Sequence, residues 1–246
     1  MAGLKFVVGE PAAVVGENLV ISDAHVGVEL ELQAKGIEVS NYALEAQRLN
    51  ALLKQTKAKR IIVLGDFKHD VYGFGNKEMW VLRKFLRLVE CKNITVIKGN
   101  HDSQLESFNE ITLVEARGLL LEAEGKKYGL FHGHALPSRE VLEKADVFLL
   151  GNTHPLVEIS EGGRGGGRFA YSTRVWLVGK TKANEKLGLK KGRKWVLFPA
   201  FGSMAGGVAI NKTRNLGPFL KKENADLPNA ELFLLSGTKV GRMKDF

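Results

Sequence analysis

Arg60-Ile61-Ile62-Val63-Leu64-Gly65-Asp66 is a short apolar run that stops at a glycine and a carboxylate, and it reads as a buried strand delivering Asp66 just past its C-terminal end. Four other stretches repeat the pattern. Asn18-Leu19-Val20-Ile21-Ser22 leads to Asp23 and His25, residues 93–98 to Asn100 and His101, residues 127–131 to His132, and residues 146–150 to Asn152 and His154. Five strands with polar cargo at the same end place a site along one sheet edge. Between them, residues 42–58 carry Leu44, Leu49, Leu52 and Leu53 at helical spacing, and residues 77–90 carry Trp80, Leu82, Phe85, Leu86 and Val89 in the same way. Strand and helix therefore alternate through the first half.

After His101 the pattern changes. Residues 111–124 form two short strand-like runs around Arg117-Gly118, and residues 169–178 and 194–198 read as further strands. The economical arrangement is an α/β sandwich: two mixed sheets, the second more antiparallel, flanked by helices, with the site at strand C-terminal ends. No Pro/Ser-rich or low-complexity stretch divides the 246 residues, so one domain over 1–246 is expected. Residues 161–168, Glu-Gly-Gly-Arg-Gly-Gly-Gly-Arg, read as a mobile hairpin loop, with an Arg/Gly nucleic-acid contact as the lesser alternative. Residues 180–194 hold seven basic residues and one acid, which suits a solvated loop or a phosphate-backbone contact equally. Tyr171, Trp176 and Trp195 read as core rather than as stacking platforms, and residues 199–206 as loops and tight turns that name no substrate.

Hydrophobic content of 44% and charged content of 26% are those of an ordinary globular protein and exclude disorder as the dominant state. With 36 Lys+Arg against 27 Asp+Glu the formal charge is +9, which suits an anionic partner without identifying one. The single cysteine, Cys91, rules out an internal disulfide and a cysteine-based zinc site, and it reads as packing in a reducing, cytoplasmic setting. The first twenty residues are interrupted by Lys5, Glu10, Pro11 and Glu17, so neither export nor membrane insertion is indicated.

All six histidines fall in clusters with Asp, Asn or Gly: Asp23-Ala24-His25, Gly65-Asp66-Phe67-Lys68-His69, Gly99-Asn100-His101-Asp102, His132-Gly133-His134 and Gly151-Asn152-Thr153-His154. Histidines kept for packing would be indifferent to their neighbours, whereas these sit beside donors for a hard or borderline cation. A polynuclear metal site requires such recurrence, with one carboxylate able to bridge two ions, and Asp66 is the natural bridge.

Asp-x-His, Gly-Asp, Gly-Asn-His-Asp, His-Gly-His and Gly-x-Thr-His-Pro occur complete and in order over residues 18–155, and together they resemble the calcineurin-like metallophosphoesterase superfamily, in its archaeal Mre11-related and DNA ligase-associated phosphoesterase branch. Carried over residue by residue, the resemblance implies Asp23, His25, Asp66 and His154 around one ion. It implies Asp66, Asn100 and His132 around a second, completed by Asn152. The ions implied are Mn, with Fe, Zn or Mg as alternatives, since mixed nitrogen and oxygen ligation does not select sharply. The chemistry implied is in-line attack on phosphorus by a hydroxide held between the ions, without a covalent intermediate.

In that scheme His101 faces the substrate, stabilising phosphoryl charge or protonating the leaving oxygen, and Asp102 orients it. His69, three residues after Asp66, matches a histidine of Mre11-type nucleases and favours diester cleavage. Lys68 is open between a phosphate contact and a solvated side chain, and His134 between support of the ligands and substrate contact. The departure from the family is Asn152, where a histidine is usual; an amide oxygen is the weaker donor, so the second ion is expected to be held less tightly.

The leading expectation is a metal-dependent phosphodiesterase or nuclease acting on a phosphoester such as DNA or RNA, with DNA repair as an implication of the resemblance alone. The alternatives are a hydrolase of small phosphoesters such as cyclic nucleotides, and a noncatalytic scaffold, which Asn152 motivates and the otherwise complete cluster set opposes. Protein partners are not indicated by any feature of the chain.

Overall fold

A computed structural model describes residues 3–72, 75–162, 168–213 and 215–246. The chain opens with strands β1 (Leu4–Phe6), β2 (Ala12–Val15) and β3 (Asn18–Ile21), then helices α1 (Val28–Ala34) and α2 (Tyr42–Thr56). Strand β4 (Arg60–Val63), helix α3 (Asn76–Leu88) and strands β5 (Ile94–Ile97) and β6 (Ile111–Val114) complete the first half. The second half holds β7 (Leu119–Ala123), β8 (Lys126–Leu130), α4 (Arg139–Lys144), β9 (Val147–Leu150), β10 (Pro155–Gly162), β11 (Arg168–Lys180) and β12 (Lys194–Leu197). Three short strands follow, β13 (Val208–Ala209), β14 (Glu231–Leu234) and β15 (Lys239–Arg242).

Two sheets form. The first is six-stranded in sequence order β1 to β6, antiparallel from β1 to β3 and parallel from β3 to β6. The second is nine-stranded, running β13-β10-β11-β12-β9-β8-β7 with β14 paired to β11 and β15 to β14. Its β8, β9 and β12 are parallel neighbours, and its other pairs are antiparallel except β10 with β13.

Period-two alternation decides what each strand faces. In β3 and β4, Leu19, Ile21, Ile61 and Val63 pack against α2 and α3, while Val20 and Ile62 turn to the second sheet. In β9 and β12, Val147, Leu149 and Val196 meet them in a central layer with Trp176 and Phe198, while Phe148, Leu150, Trp195 and Leu197 face α4 and the C-terminal segments. The result is four layers, helix, sheet, sheet, helix, with the β3, β4, β5, β8 and β9 ends meeting at one rim.

Some expectations are corrected. The five cargo-bearing strands do not share one sheet edge: β3, β4 and β5 belong to the first sheet, β8 and β9 to the second. Residues 111–114 join the first sheet in parallel rather than opening the second, because β6 continues the β5 pairing. Leu44 and Trp80 lie on the solvent sides of their helices, and Tyr171 is exposed, whereas Trp176 and Trp195 are core. The glycine-rich segment has its centre, 163–167, outside the described residues. Among the described residues no helix is long and apolar enough to cross a membrane.

Candidate metal centre

The loops leaving the five strands are built from unusual backbone. Asp23, His25, Asp66, Asn152 and His154 all adopt positive φ, between 46° and 73°, a conformation that costs L-residues energy and gathers where function holds it in place. The loops are sewn together through the main chain: Asp23 N donates to Gly65 O at 3.1 Å, His25 N to Asp66 O at 3.0 Å, and Gly151 N to His132 O at 2.8 Å. Close approach requires glycine at several places, two of them around Asp66 and His132. A Cβ at Gly99 would overlap Asp66 Oδ1 and its main-chain nitrogen, and one at Gly65, whose φ is +86°, would overlap the His132 ring.

Asp66 is the middle of the constellation. Its Oδ2 lies 3.3 Å from His132 Nε2, 3.8 Å from His101 Nε2 and 3.9 Å from His25 Nε2, and its Oδ1 accepts the His101 N–H at 2.9 Å. His154 Nε2 lies 3.2 Å from Asp23 Oδ1 and 3.2 Å from His25 Nε2. One donor atom each from Asp23, His25, Asp66 and His154 falls within a 4.8 Å span. Asp23 is itself held by Ser22 Oγ at 2.6 Å and by the Asn152 N–H at 3.1 Å.

The ring nitrogens facing away from this cluster are satisfied by carbonyls: His132 Nδ1 bonds Leu64 O at 2.6 Å and His154 Nδ1 bonds Gly206 O at 2.9 Å. That arrangement commits Nδ1 as a donor and turns Nε2 toward the carboxylates. His132 Nε2 is fully buried with no hydrogen-bond partner. Two imidazole nitrogens and two carboxylates turned toward one another draw in a cation, a proton or a divalent ion, and the mixed nitrogen and oxygen donor set fits the latter.

The titration tendencies follow the same electrostatics. Burial pushes His25 down to about 4 despite the Asp23 and Asp66 carboxylates. Burial also acts against His132, but Asp66 and Asp23 outweigh it and lift this imidazole to about 9. His154 is raised likewise, Asp23 overcoming burial, and Asp66 is held well below the ordinary carboxylate range because His132 and His101 outweigh its own burial. Charges that bind a proton this strongly bind a metal cation by the same attraction.

His101 and His69 occupy the more open side. His101 Nδ1 bonds the His69 carbonyl, and the two rings stack with planes 28° apart. His69 Nδ1 lies 3.4 Å from His25 Nδ1, and its Nε2 pairs with Glu31 at 2.9 Å. His25, His69 and His101 also have donor atoms within 4.8 Å of one another. Asn152 is half-buried, its main-chain N–H bonded to Asp23, and Asn100 is exposed. The His134 ring lies tilted beside that of His132, centroids 5.2 Å apart.

Two residues behave differently from their sequence readings. The Asp102 carboxylate accepts Phe67 N at 2.8 Å, Lys68 N at 3.2 Å and Gly99 N at 2.8 Å, so it binds the loop of His101 to the loop of Asp66 through backbone amides. Lys68 is neither solvated nor placed to meet a ligand: it is fully buried, its ammonium bonded to the Asp70 carbonyl and 3.7 Å from Glu78.

Other contributors carried no signal in the sequence. Glu31 sits in α1, a segment without helical apolar spacing. Gly206 offers only a carbonyl. Arg174 and Glu45 hold the residues around Gly202 and Ser203, at 2.6 Å each for Arg174 Nη2 to Gly202 O and Ser203 N to Glu45 Oε1, and are polar residues in otherwise ordinary runs.

Residues 17–178 match the family model described as the calcineurin-like phosphoesterase superfamily domain. No curated protein sequence matches the chain. Among solved structures, the chain is similar to the Pseudomonas putida nuclease MPE, at 18% identity and a TM-score of 0.54, covering 94% of this chain and 91% of that one. It is also similar to Yfce, a phosphoesterase from E. coli, at 17% identity and a TM-score of 0.41, covering 92% and 97%.

Proposed function

The chain belongs to the calcineurin-like phosphoesterase superfamily, and from that premise we propose that it is a metal-dependent phosphodiesterase that cleaves nucleic-acid strands. The observation that carries the reading is the convergence of Asp23, His25, Asp66, His132 and His154 from both sheets, with two further histidines on the open side. The basic balance of +9 and the fold shared with a nuclease favour a polynucleotide over a neutral ester.

Asp23, His25, Asp66 and His154 would hold one ion and Asp66, Asn100, His132 and Asn152 the other, with Mn the first to try. Such ions supply Lewis-acid neutralisation of phosphoryl charge and acidify water. Asn152 offers an amide where imidazole would bind more firmly, so the second position is the weaker one. The carbonyls of Leu64 and Gly206 hold Nδ1 of His132 and His154 as donors, which turns both Nε2 atoms toward the centre, where a bound ion would take the place of a proton. Asp102 positions the loop that bears His101. With Nδ1 anchored on the His69 carbonyl, His101 keeps Nε2 on the Asp66 side, where it can stabilise a phosphoryl oxygen or give a proton to the leaving alkoxide. His69, oriented by Glu31, lies next to it, a position that favours diester cleavage.

Hydrolysis of bis-p-nitrophenyl phosphate tests this directly, with Mn, with chelator, and with His101→Ala. The expected result is Mn-dependent turnover lowered about 100-fold or more by the substitution, with metal content unchanged. Wild-type protein that loads Mn but turns over neither this ester nor single-stranded DNA or RNA would sink the proposal.

A further inference from the structure

Two concavities border the metal centre on opposite sides, and their linings differ in charge. The first, about 650 Å³, runs past His69 and His101 and carries Asp70, Glu31 (paired with Lys35 and His69) and Glu78 (3.7 Å from Lys68), with no lysine or arginine among its described lining residues. The second, about 510 Å³, is reached past Asn152 and His134 and carries Lys221, Asn215 and the Gly217 turn, with no carboxylate among its described residues. A phosphate oxygen lying beyond the centre meets carboxylates on the first lining and an ammonium on the second.

The second concavity is also built rather than incidental. Thr153 Oγ1 donates to Leu216 O at 3.2 Å, tying the wall that carries Asn215 and Gly217 to the loop of Asn152 and His154. Gly217 has φ +98°, and a Cβ there would press on the Gly133 carbonyl, so the turn lies close against the His132-Gly133-His134 segment. His134 is half-buried on this side of His132 and has a buried Nδ1 with no hydrogen-bond partner. The His132 and His134 ring centroids lie 5.2 Å apart, so the lining begins one ring away from a residue of the centre.

We propose that this concavity is an anion subsite in which Lys221, with the His134 imidazole and the Asn152 and Asn215 amides, receives the phosphate adjacent to the one being cleaved. The inference rests on the phosphodiesterase reading and sharpens it: the substrate is a strand with consecutive phosphates, not an isolated diester. A lysine ammonium and neutral N–H donors suit a phosphate oxygen, and Lys221 is exposed, so its charge is available without cost to folding.

The test compares binding of thymidine 3′,5′-bisphosphate and thymidine 5′-monophosphate to Mn-loaded protein by calorimetry, in wild type, Lys221→Ala, Lys221→Glu and, as a control for general charge, Lys222→Glu. Wild type should prefer the bisphosphate about tenfold, the worth of one charge-assisted contact. The preference should disappear in both Lys221 variants and persist in Lys222→Glu. Its absence from wild type, its survival in Lys221→Glu, or an equal loss in Lys222→Glu would overturn the subsite. Bis-p-nitrophenyl phosphate turnover should be the same in all four proteins, and a fall confined to the Lys221 variants would assign Lys221 to the centre instead and overturn the proposal. Wild type that discriminates the two nucleotides yet hydrolyses nothing would keep the subsite and remove the phosphodiesterase reading.

Discussion

Asp102 carries its charge where charge is costly: burial, then the neighbouring Asp66 carboxylate, lift it to about 6 against the pull of the Gly99 and Lys68 amides. A carboxyl whose pKa rises on folding binds its proton more tightly in the native state. Its contribution to stability is therefore complete below the unfolded value near 3.8 and is lost as pH rises to about 6. The lost contribution is on the order of 3 kcal/mol. In chelator-treated protein, the stability of wild type minus that of Asp102→Asn should fall by that order between pH 4 and pH 6.5, as read by urea unfolding. A difference that stays flat across this window would show that Asp102 does not titrate there. Residues of this kind mark how far single positions can be read from sequence. Asp23, His25, Asp66, His132 and His154 announce themselves because each follows an apolar run and shares a cluster with other donors. Lys68 stands in one of those clusters and still misleads, since its burial is decided by Glu78, a residue of α3 that the cluster does not contain.

At the scale of elements, the segment between β12 and β13 acts as a strap across both sheets. Phe201 N bonds Ser22 O at 2.7 Å, Gly202 N bonds Asp23 O at 3.1 Å, and Val208 N bonds His154 O at 3.1 Å, so one loop fixes two metal-facing segments at once. The strap is held in turn by Arg174 of β11, which reaches Gly202 O and Ser203 O at 2.6 and 3.0 Å. Arg174→Met keeps the aliphatic stem and removes these bonds, which should loosen Gly206 and with it the His154 ring. The expected outcome is Mn affinity about tenfold weaker by calorimetric titration, with the fold retained, in line with the effect of removing outer partners of metal ligands. Unchanged affinity would show that the strap keeps its place without the guanidinium. Neither strap nor partner stands out in the chain, because loops that work through carbonyls need no particular side chain. Helices α2 and α3 do stand out through their apolar period, whereas α1, Val-Glu-Leu-Glu-Leu-Gln-Ala, alternates apolar and polar residues as a strand would. The β1–β2 pair and β13 to β15 are too short for any period to show.

For the whole molecule, the consequential feature is that the centre straddles two sheets. Asp23, His25 and Asp66 leave the first sheet, His132 and His154 the second, and between the sheets lies a layer that includes Val20, Ile62, Leu149, Trp176 and Phe198. Five strand ends were evident in the sequence, but strand composition does not say which strands pair, and the division between sheets emerges only from the register. An ion held by both sides binds the assembled sandwich and not the unfolded chain, so it must stabilise the fold by mass action, about 2.7 kcal/mol at a hundredfold excess over Kd. For a chain of this size that corresponds to a rise of roughly 5–10 °C in the melting temperature. Calorimetric melts with Mn and with chelator should show such a shift in wild type and none in Asp66→Asn, where the carboxylate at the middle of the constellation is neutral. If Mn left the wild-type transition in place, or shifted the variant equally, the histidines and carboxylates at the rim would have to be joined by hydrogen bonds alone, and the reading of this rim as a metal centre would fail with them.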